Sequence, residues 1–466
     1  MSFPLLSRLR RPHIANAHWL RLGLIAGVLL LSALLAYLAT DSQKIMVIAL
    51  IGGLPVVLVF LRWPSLGPIA IILSGMLIHY TGPGGANAAM FLVAFLLGLW
   101  IVVMVVQQRE IRLVSSETMA PALVLIVITV FSFAMGQLPW FPYARSAPLD
   151  AQLGGFAVYA LSFGAFVLTA NQIKDLRWLK WLTWIFIIVG SVNAVGLAIP
   201  PARSLIRTIF GATGSLFWVW IIALSYGQVL FNSRLRVVWK AVLVGVLLSS
   251  MYILFGLKFK DLSGWLPVLI TLWVITALRS WRMGMVLLLA AALGMLGLMS
   301  QIVSVNEYSL STRLEAIPIL LKILSANPTL GIGFANYYYY TPLFPLRGFY
   351  VSFNSHNNYI DILVQTGVVG LLGYFWLLAK IGQVAWRLRG RVPEGFSRAY
   401  LNAALGGFAG MLVVGLFGDW VLPFVYNIGL TGFTTSVAGW VLLGGIVVLE
   451  RLFSHSEREN LGKKYY

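Results

Sequence analysis

Apolar runs of about 20 residues recur along the chain almost from end to end, and they constrain the fold more than any other feature. "WLTWIFIIVGSVNAVGLAI", residues 181–199, is one example. The runs do not alternate polar with apolar, so they are not barrel strands. Only 10% of residues are charged, where a soluble domain carries roughly 25%. An all-α polytopic membrane protein follows. Fourteen spans are expected, at 19–39, 45–61, 66–80, 87–107, 119–138, 153–170, 178–199, 209–231, 237–256, 262–278, 283–302, 361–386, 399–417 and 428–449. The third is short enough to be re-entrant, which gives a count of 12 to 14. The N-terminus is basic and then apolar like a signal peptide, but its apolar run is long and lacks a small-residue cleavage site, so it reads as a retained first span.

The net charge of +19 would suggest nucleic acid in a soluble protein. In a membrane protein it first reports topology, because cationic loops stay in the cytoplasm. With the N-terminus inside and the spans alternating, 24 Lys and Arg fall inside and 9 outside, which together are the 33 of the chain. Both termini are thus expected in the cytoplasm, and no nucleic-acid partner is implied. The sequence divides into an N-terminal bundle (1–302), one long external loop (303–360), C-terminal spans (361–450) and a cytoplasmic tail (451–466). Within the loop, "STRLEAIPILLKILSANP" has the spacing of a short amphipathic helix, with Ser311 or Thr312 as its cap and Asn327-Pro328 as its end.

Several chemistries lack their residues. There is no cysteine, which removes disulfides, thiolate nucleophiles and Cys-ligated metals. No H-E-x-x-H, acidic cluster or Walker loop occurs, so no metal, cofactor or nucleotide hydrolysis is expected. Acids are almost missing from the spans, which weighs against an ion-coupled transporter.

What remains is polar and external. "SFNSHNNYIDIL", residues 352–363, holds the one histidine of the long loop, His356. An imidazole is suited to proton transfer near neutral pH, and the asparagines around it could orient the ring, with Asn357 and Asn358 contacting substrate. The competing reading is that this stretch merely caps the next span, with Asn357 and Asn358 on its free N–H groups. Arg313 offers a fork suited to phosphate oxygens, or else is a helix-end charge paired with Glu315 or Glu307. Lys258, Lys260, Arg203, Arg207 and Arg347 add cations on a side that topology should leave poor in positive charge. Together they point to an anionic ligand.

Ser311 to Tyr374 resembles the O-antigen ligase and Wzy-type polymerase family. An Arg opens the loop helix, followed by "NPTLGIGFANY" and then "SHNNYIDILVQTGVVGLLGY". The resemblance implies a glycosyltransferase of the bacterial inner membrane, working at the periplasmic face without a metal. Its donor would be a glycan on undecaprenyl diphosphate. Its acceptor would be another such glycan, for a polymerase, or lipid A–core, for a ligase. A chain-length regulator protein would be a further partner. The resemblance puts the family's histidine on His356 and its loop arginine on Arg313. The family's upstream arginine is missing from "KFKDLSGW", where Lys258 or Lys260 would substitute. Direct displacement with His356 as base would invert the anomeric centre. Tyr338 and its neighbours in "NYYYY" would stack on sugars, or else serve as interfacial tyrosines. Fourteen spans favour the polymerase. A flippase or exporter of lipid-linked oligosaccharide is the alternative of another class.

Overall fold

The computed structural model describes residues 41–211, 213–258 and 261–462. The expected first span (19–39) and Lys260 lie outside them. Among the described residues there are helices and two isolated bridges but no strand. The helix α1 (Asp41–Arg62) lies in a unit ending at Trp63, and everything from Pro64 onward forms a second unit. That unit opens with α2 (Leu66–Leu77), α3 (Ala88–Val102), α4 (Met119–Met135), α5 (Leu149–Gln172) and α6 (Leu176–Ala198). A short α7 (Arg203–Phe210) precedes α8 (Ser215–Phe231), α9 (Val237–Met251) and α10 (Leu262–Arg279). Then come the long α11 (Trp281–Leu324), the single turn α12 (Asn336–Tyr340), α13 (Asn358–Leu388), α14 (Phe396–Phe417) and α15 (Phe433–Gly462).

Each of the thirteen expected spans within the described residues falls on a helix. Eight of these helices are long and apolar enough to cross a membrane, and a ninth if the bent pair α7–α8 counts as one span. The remainder, such as Leu66–Leu77 and Met119–Met135, are apolar but shorter. The chain is therefore a multi-pass membrane protein. Its apolar side chains also face outward in quantity: Val237 is 80% exposed and Leu296 69%, as expected where lipid replaces water.

One element differs from the sequence reading. The expected amphipathic helix beginning near Ser311 is not separate. It is the last part of α11, which runs for 44 residues. Nothing between Trp281 and Pro318 breaks a helix, so Ser311 and Thr312 lie inside it and cap nothing. Even Pro318 is carried within it.

The segment after α11 and the start of α13 form one construction. At Gly367 (φ 71°, ψ −175°) α13 breaks. In an unbroken helix the N–H groups of Val368 and Val369 would donate to the carbonyls of Val364 and Gln365. Here they donate instead to Pro328 O (2.9 Å) and Thr329 O (3.2 Å). The carbonyls they leave accept from Ile332 N and Gly333 N, both at 3.1 Å. The irregular segment thus replaces these two helix bonds one for one, and the two N–H groups and two carbonyls are all paired. Three glycines allow it, Gly331 (φ 74°) among them, where a Cβ would stand 2.5 Å from Gln365 O. A Cβ at Gly367 would stand 2.2 Å from Thr329 O, and one at Gly333 (φ 86°) 2.1 Å from Gly136 Cα. The NP-x-x-G-I-G and T-G-x-x-G stretches are the two halves of this joint.

The expected consequence is that Gly367→Ala, which meets both a left-handed φ and a backbone clash, loses more than about 1–3 kcal/mol and folds poorly. Gly98→Ala, where nothing lies within 4 Å, leaves the melting temperature unchanged. Thermal unfolding of the two purified variants checks this. Equal melting temperatures would mean that the joint does not matter.

Candidate active site

The joint positions α12, and α12 positions the loop that carries His356. Ala335 takes a left-handed φ of 63°, with its N–H on Gln365 Oε1. Asn336 is buried and bonds Gly136 O, Ile332 O and Ala147 N. Tyr337, fully buried, donates its hydroxyl to Asp361 Oδ1 at 2.6 Å. Ser355 Oγ donates to the same oxygen at 2.7 Å and accepts from Asn357 N at 2.9 Å. The residues on both sides of His356 are thereby fixed. His356 itself adopts φ 48°, a left-handed conformation that costs a non-glycine residue roughly 1–2 kcal/mol. The surrounding bonds hold it there.

The ring of His356 is half-buried. Its Nδ1 lies 3.2 Å from the side-chain nitrogen of Asn427, which also bonds Asp419 Oδ1. Asp419 is fully buried. Arg313 reaches the same corner from α11: its Nη1 donates to Phe417 O at 3.2 Å, at the end of α14. Its Nε is buried with no partner. Burial, with the nearby Arg313 charge second, pushes the His356 imidazole down to about 4. Burial raises the carboxyl of Asp419.

These groups define what the ring can do. With Asp419 ionised, the Asn427 amide donates to both neighbours. Nδ1 then accepts, and Nε2 carries the ring proton. With Asp419 protonated and the amide reversed, the amide oxygen accepts from Asp419 and from Nδ1–H, and Nε2 has a free lone pair. The charge on Asp419 therefore selects, through Asn427, whether Nε2 donates or accepts.

A second cluster lies upstream. Arg203 and Arg207 of α7 and Lys258, just beyond α9, line one cavity of about 380 Å³ together with Gly211 and Thr213. Arg203 Nε is anchored on Leu197 O at 3.0 Å. Burial lowers the Lys258 amine, Asp261 partly offsets this, and Arg207 adds to the lowering. Three of the expected cations thus converge on one pocket.

Other expected site residues do structural work. Asn357 is the N-cap of α13, accepting from Tyr359 N (2.9 Å) and Ile360 N (3.2 Å). Asn358 is fully buried and ties Val421 N and Leu422 O. Both side chains are thus engaged within the fold, Asn357 as the helix cap and Asn358 as a tie to the 421–422 segment. Arg347 pairs with Glu315 and bonds Ser311, which also takes Glu315 away from Arg313. Tyr338 has a ring face covered by Tyr426, with centroids 4.6 Å apart. Tyr337 and Tyr340 are buried outright. Two of the four tyrosines are thus core, and Tyr338 and Tyr339 are half-buried against Tyr426. Sequence reasoning singled out neither Asn427 nor Asp419. A lone Asp and Asn in an apolar link between two spans was the available signal.

Residues 203–375 match the family model Wzy_C, O-Antigen ligase. The match supports the resemblance read from Ser311–Tyr374, and it extends upstream to the cationic pocket. It takes in Arg203, Arg207, Lys258, Arg313 and His356 but stops short of Asp419 and Asn427. No curated protein matches the chain.

Because Asp361 accepts from Tyr337 Oη, Asp361→Ala is expected to strand that buried hydroxyl, whereas Ser355 Oγ can still donate to Asn357 O at 2.8 Å. The cost is about 1–3 kcal/mol for the group left unsatisfied. Asp361→Asn keeps an acceptor and is expected to lose less. Melting temperatures of the two variants check this, and a fully stable Asp361→Ala would show that the loop is held by something else.

Proposed function

We propose that the chain is a glycosyltransferase that moves a glycan from a polyprenyl diphosphate carrier to a hydroxyl of an acceptor glycan or glycolipid, at the outer face of the membrane. The observation that carries this reading is the pocket shared by Arg203, Arg207 and Lys258. Two guanidinium forks and an amine in one partly enclosed space suit a diphosphate. The O-antigen ligase match over the same residues agrees with it.

Arg203, Arg207 and Lys258 hold the diphosphate and stabilise the charge it gains as it leaves. The acceptor oxygen attacks the anomeric carbon from the opposite side as the bond from that carbon to the phosphate oxygen breaks. The acceptor's proton passes to Nε2 of His356, and the polyprenyl diphosphate departs with the bonding pair. One displacement inverts the anomeric centre. The role requires the tautomer with Nδ1–H on Asn427, which a protonated Asp419 favours. Arg313 supplies positive charge beside the ring. Charge neutralisation by these side chains is the part that a metal plays elsewhere, so turnover is expected to survive chelation.

A polymerase and a ligase differ only in acceptor under this reading. A lipid-linked repeat unit, incubated with the purified chain with and without lipid A–core, separates them. A product ladder from the repeat unit alone means a polymerase, and product only with lipid A–core means a ligase. No product under either condition would remove the reading.

His356→Ala is expected to remain folded and to lose on the order of 10²–10⁴-fold in turnover. Arg313→Ala weakens turnover, and Arg313→Lys recovers only part of it. The pH dependence is also specific. With its pKa lowered to about 4, the folded ring refuses a proton that an unfolded one takes near pH 6.5. Its contribution to stability is therefore lost as pH falls from about 6.5 toward 4. No acid limb of turnover from His356 is therefore expected above about pH 5. An acid limb centred near pH 6.5, as an ordinary exposed histidine would give, would contradict the geometry described for His356.

A further inference from the structure

A second cavity, of about 570 Å³, adjoins the cationic pocket. The two share Thr213 as a lining residue. Gly211 lines the cationic side and His79 the other, and a Cβ built at Gly211 would stand 2.6 Å from His79 Nε2. At its far side the cavity is lined by Asn427, the residue that holds His356. It therefore occupies the ground between the diphosphate pocket and the proposed base.

Its walls are largely apolar but carry polar groups that a lipid tail would leave unpaired. Asn193 of α6 is 98% buried, at 2% exposure, and its Oδ1 has no hydrogen-bond partner. A buried amide oxygen without a donor is costly, and an isoprenoid chain would leave it so. A hydroxyl-bearing ligand would not. Trp420 adds an aromatic surface, seated against Gly214, where a Cβ would come within 2.6 Å of the ring. An aromatic face with donors and acceptors around it is the complement of a pyranose ring, which has apolar C–H faces and a polar edge. The size lies in the range of small-molecule sites.

We propose that this cavity is a carbohydrate subsite that takes the sugar attached directly to the carrier diphosphate. Asn193 and His79 bind its hydroxyl or amide edge, and Trp420 packs on its face. The inference rests on the diphosphate reading given above and deepens it. A sugar seated there has its anomeric carbon toward the cations and its open face toward His356. His79, Asn193, Trp420 and Asn427 all lie outside residues 203–375. Diphosphate chemistry and sugar choice thus rest on different parts of the chain.

The test compares binding of undecaprenyl diphosphate with binding of the same lipid carrying one glucose, galactose, N-acetylglucosamine or N-acetylgalactosamine. The full chain is used in lipid nanodiscs. At least one sugar-bearing lipid is expected to bind about tenfold more tightly than the bare lipid, the size of one well-placed buried hydrogen bond. Asn193→Leu is expected to abolish that gain while bare-lipid binding stays within about twofold. His79→Phe, on a separate element and similar in volume, does the same and covers the case in which Asn193→Leu does not fold. No gain with any of the four sugars, or a gain that survives both substitutions, overturns the subsite and leaves the diphosphate reading standing. Failure of that reading looks different: bare undecaprenyl diphosphate then binds equally well to wild type and to a variant carrying both Arg207→Ala and Lys258→Ala.

Discussion

The exchange of backbone hydrogen bonds at Gly367 is the constraint on which the rest of the site depends. A break in a membrane helix strands polar groups where no water can reach them. Here the break is repaired by an irregular segment whose own N–H and C=O groups would otherwise be stranded too. Each half makes the other tolerable. Four bonds between residues 328–333 and 364–369 lock the two together. Everything downstream follows by short steps: Asn336 and Tyr337 fall into buried places, Tyr337 meets Asp361, Asp361 fixes Ser355, and Ser355 fixes the strained turn at His356. The geometry around His356 is thus tied to the interior of the bundle, although the histidine lies in a loop. Loops with such support keep their precision.

That chain of contacts also explains what could be read from the sequence. The apolar runs are long and obvious, so the helical membrane class and the approximate helix positions were legible. The NP-x-x-G-I-G and T-G-x-x-G stretches were visible as a family likeness, but their meaning as two sides of one joint was not. Only a structure brings residues about 35 positions apart into one set of bonds. Helix α11 was misread in extent, because amphipathic spacing near Ser311 signals a helix but says nothing about whether the preceding helix has ended. The asparagines near His356 pulled the reading toward a polar ring around the base. Two of them instead cap and tie helices, which is what asparagine does well wherever a helix begins. The residue that holds the ring, Asn427, is 71 positions away, and no local pattern points to it.

The cations were more legible than their partners because topology makes an external Lys or Arg unusual, whereas an external Asn is ordinary. Arg203, Arg207 and Lys258 stood out by charge bias alone and do converge. Arg347 stood out by the same bias and does not. Its charge is spent on Glu315, a pairing that frees Arg313 for the corner beside His356. Charge bias identifies candidates for an anion site, but the nearest acid decides which of them are available.

A histidine base beside an arginine and near a cationic pocket faces an electrostatic conflict. Burial lowers the basicity of the ring, and the charge of Arg313 lowers it further. In the chain alone this keeps His356 unprotonated but makes it a weak base. On the reading proposed here, the arriving diphosphate brings negative charge into the same field and offsets part of what Arg313 contributes. The ring would then gain basicity only when donor is bound. Asn427 adds a second link between donor and base, since it lines the cavity next to the cations and also orients the ring through Nδ1. A ligand that presses on Asn427 acts on the tautomer as well as on the field. Proton acceptance and donor occupancy would thus be joined through one asparagine and one electric field, and water, which brings no such charge, would meet a histidine poorly prepared to activate it.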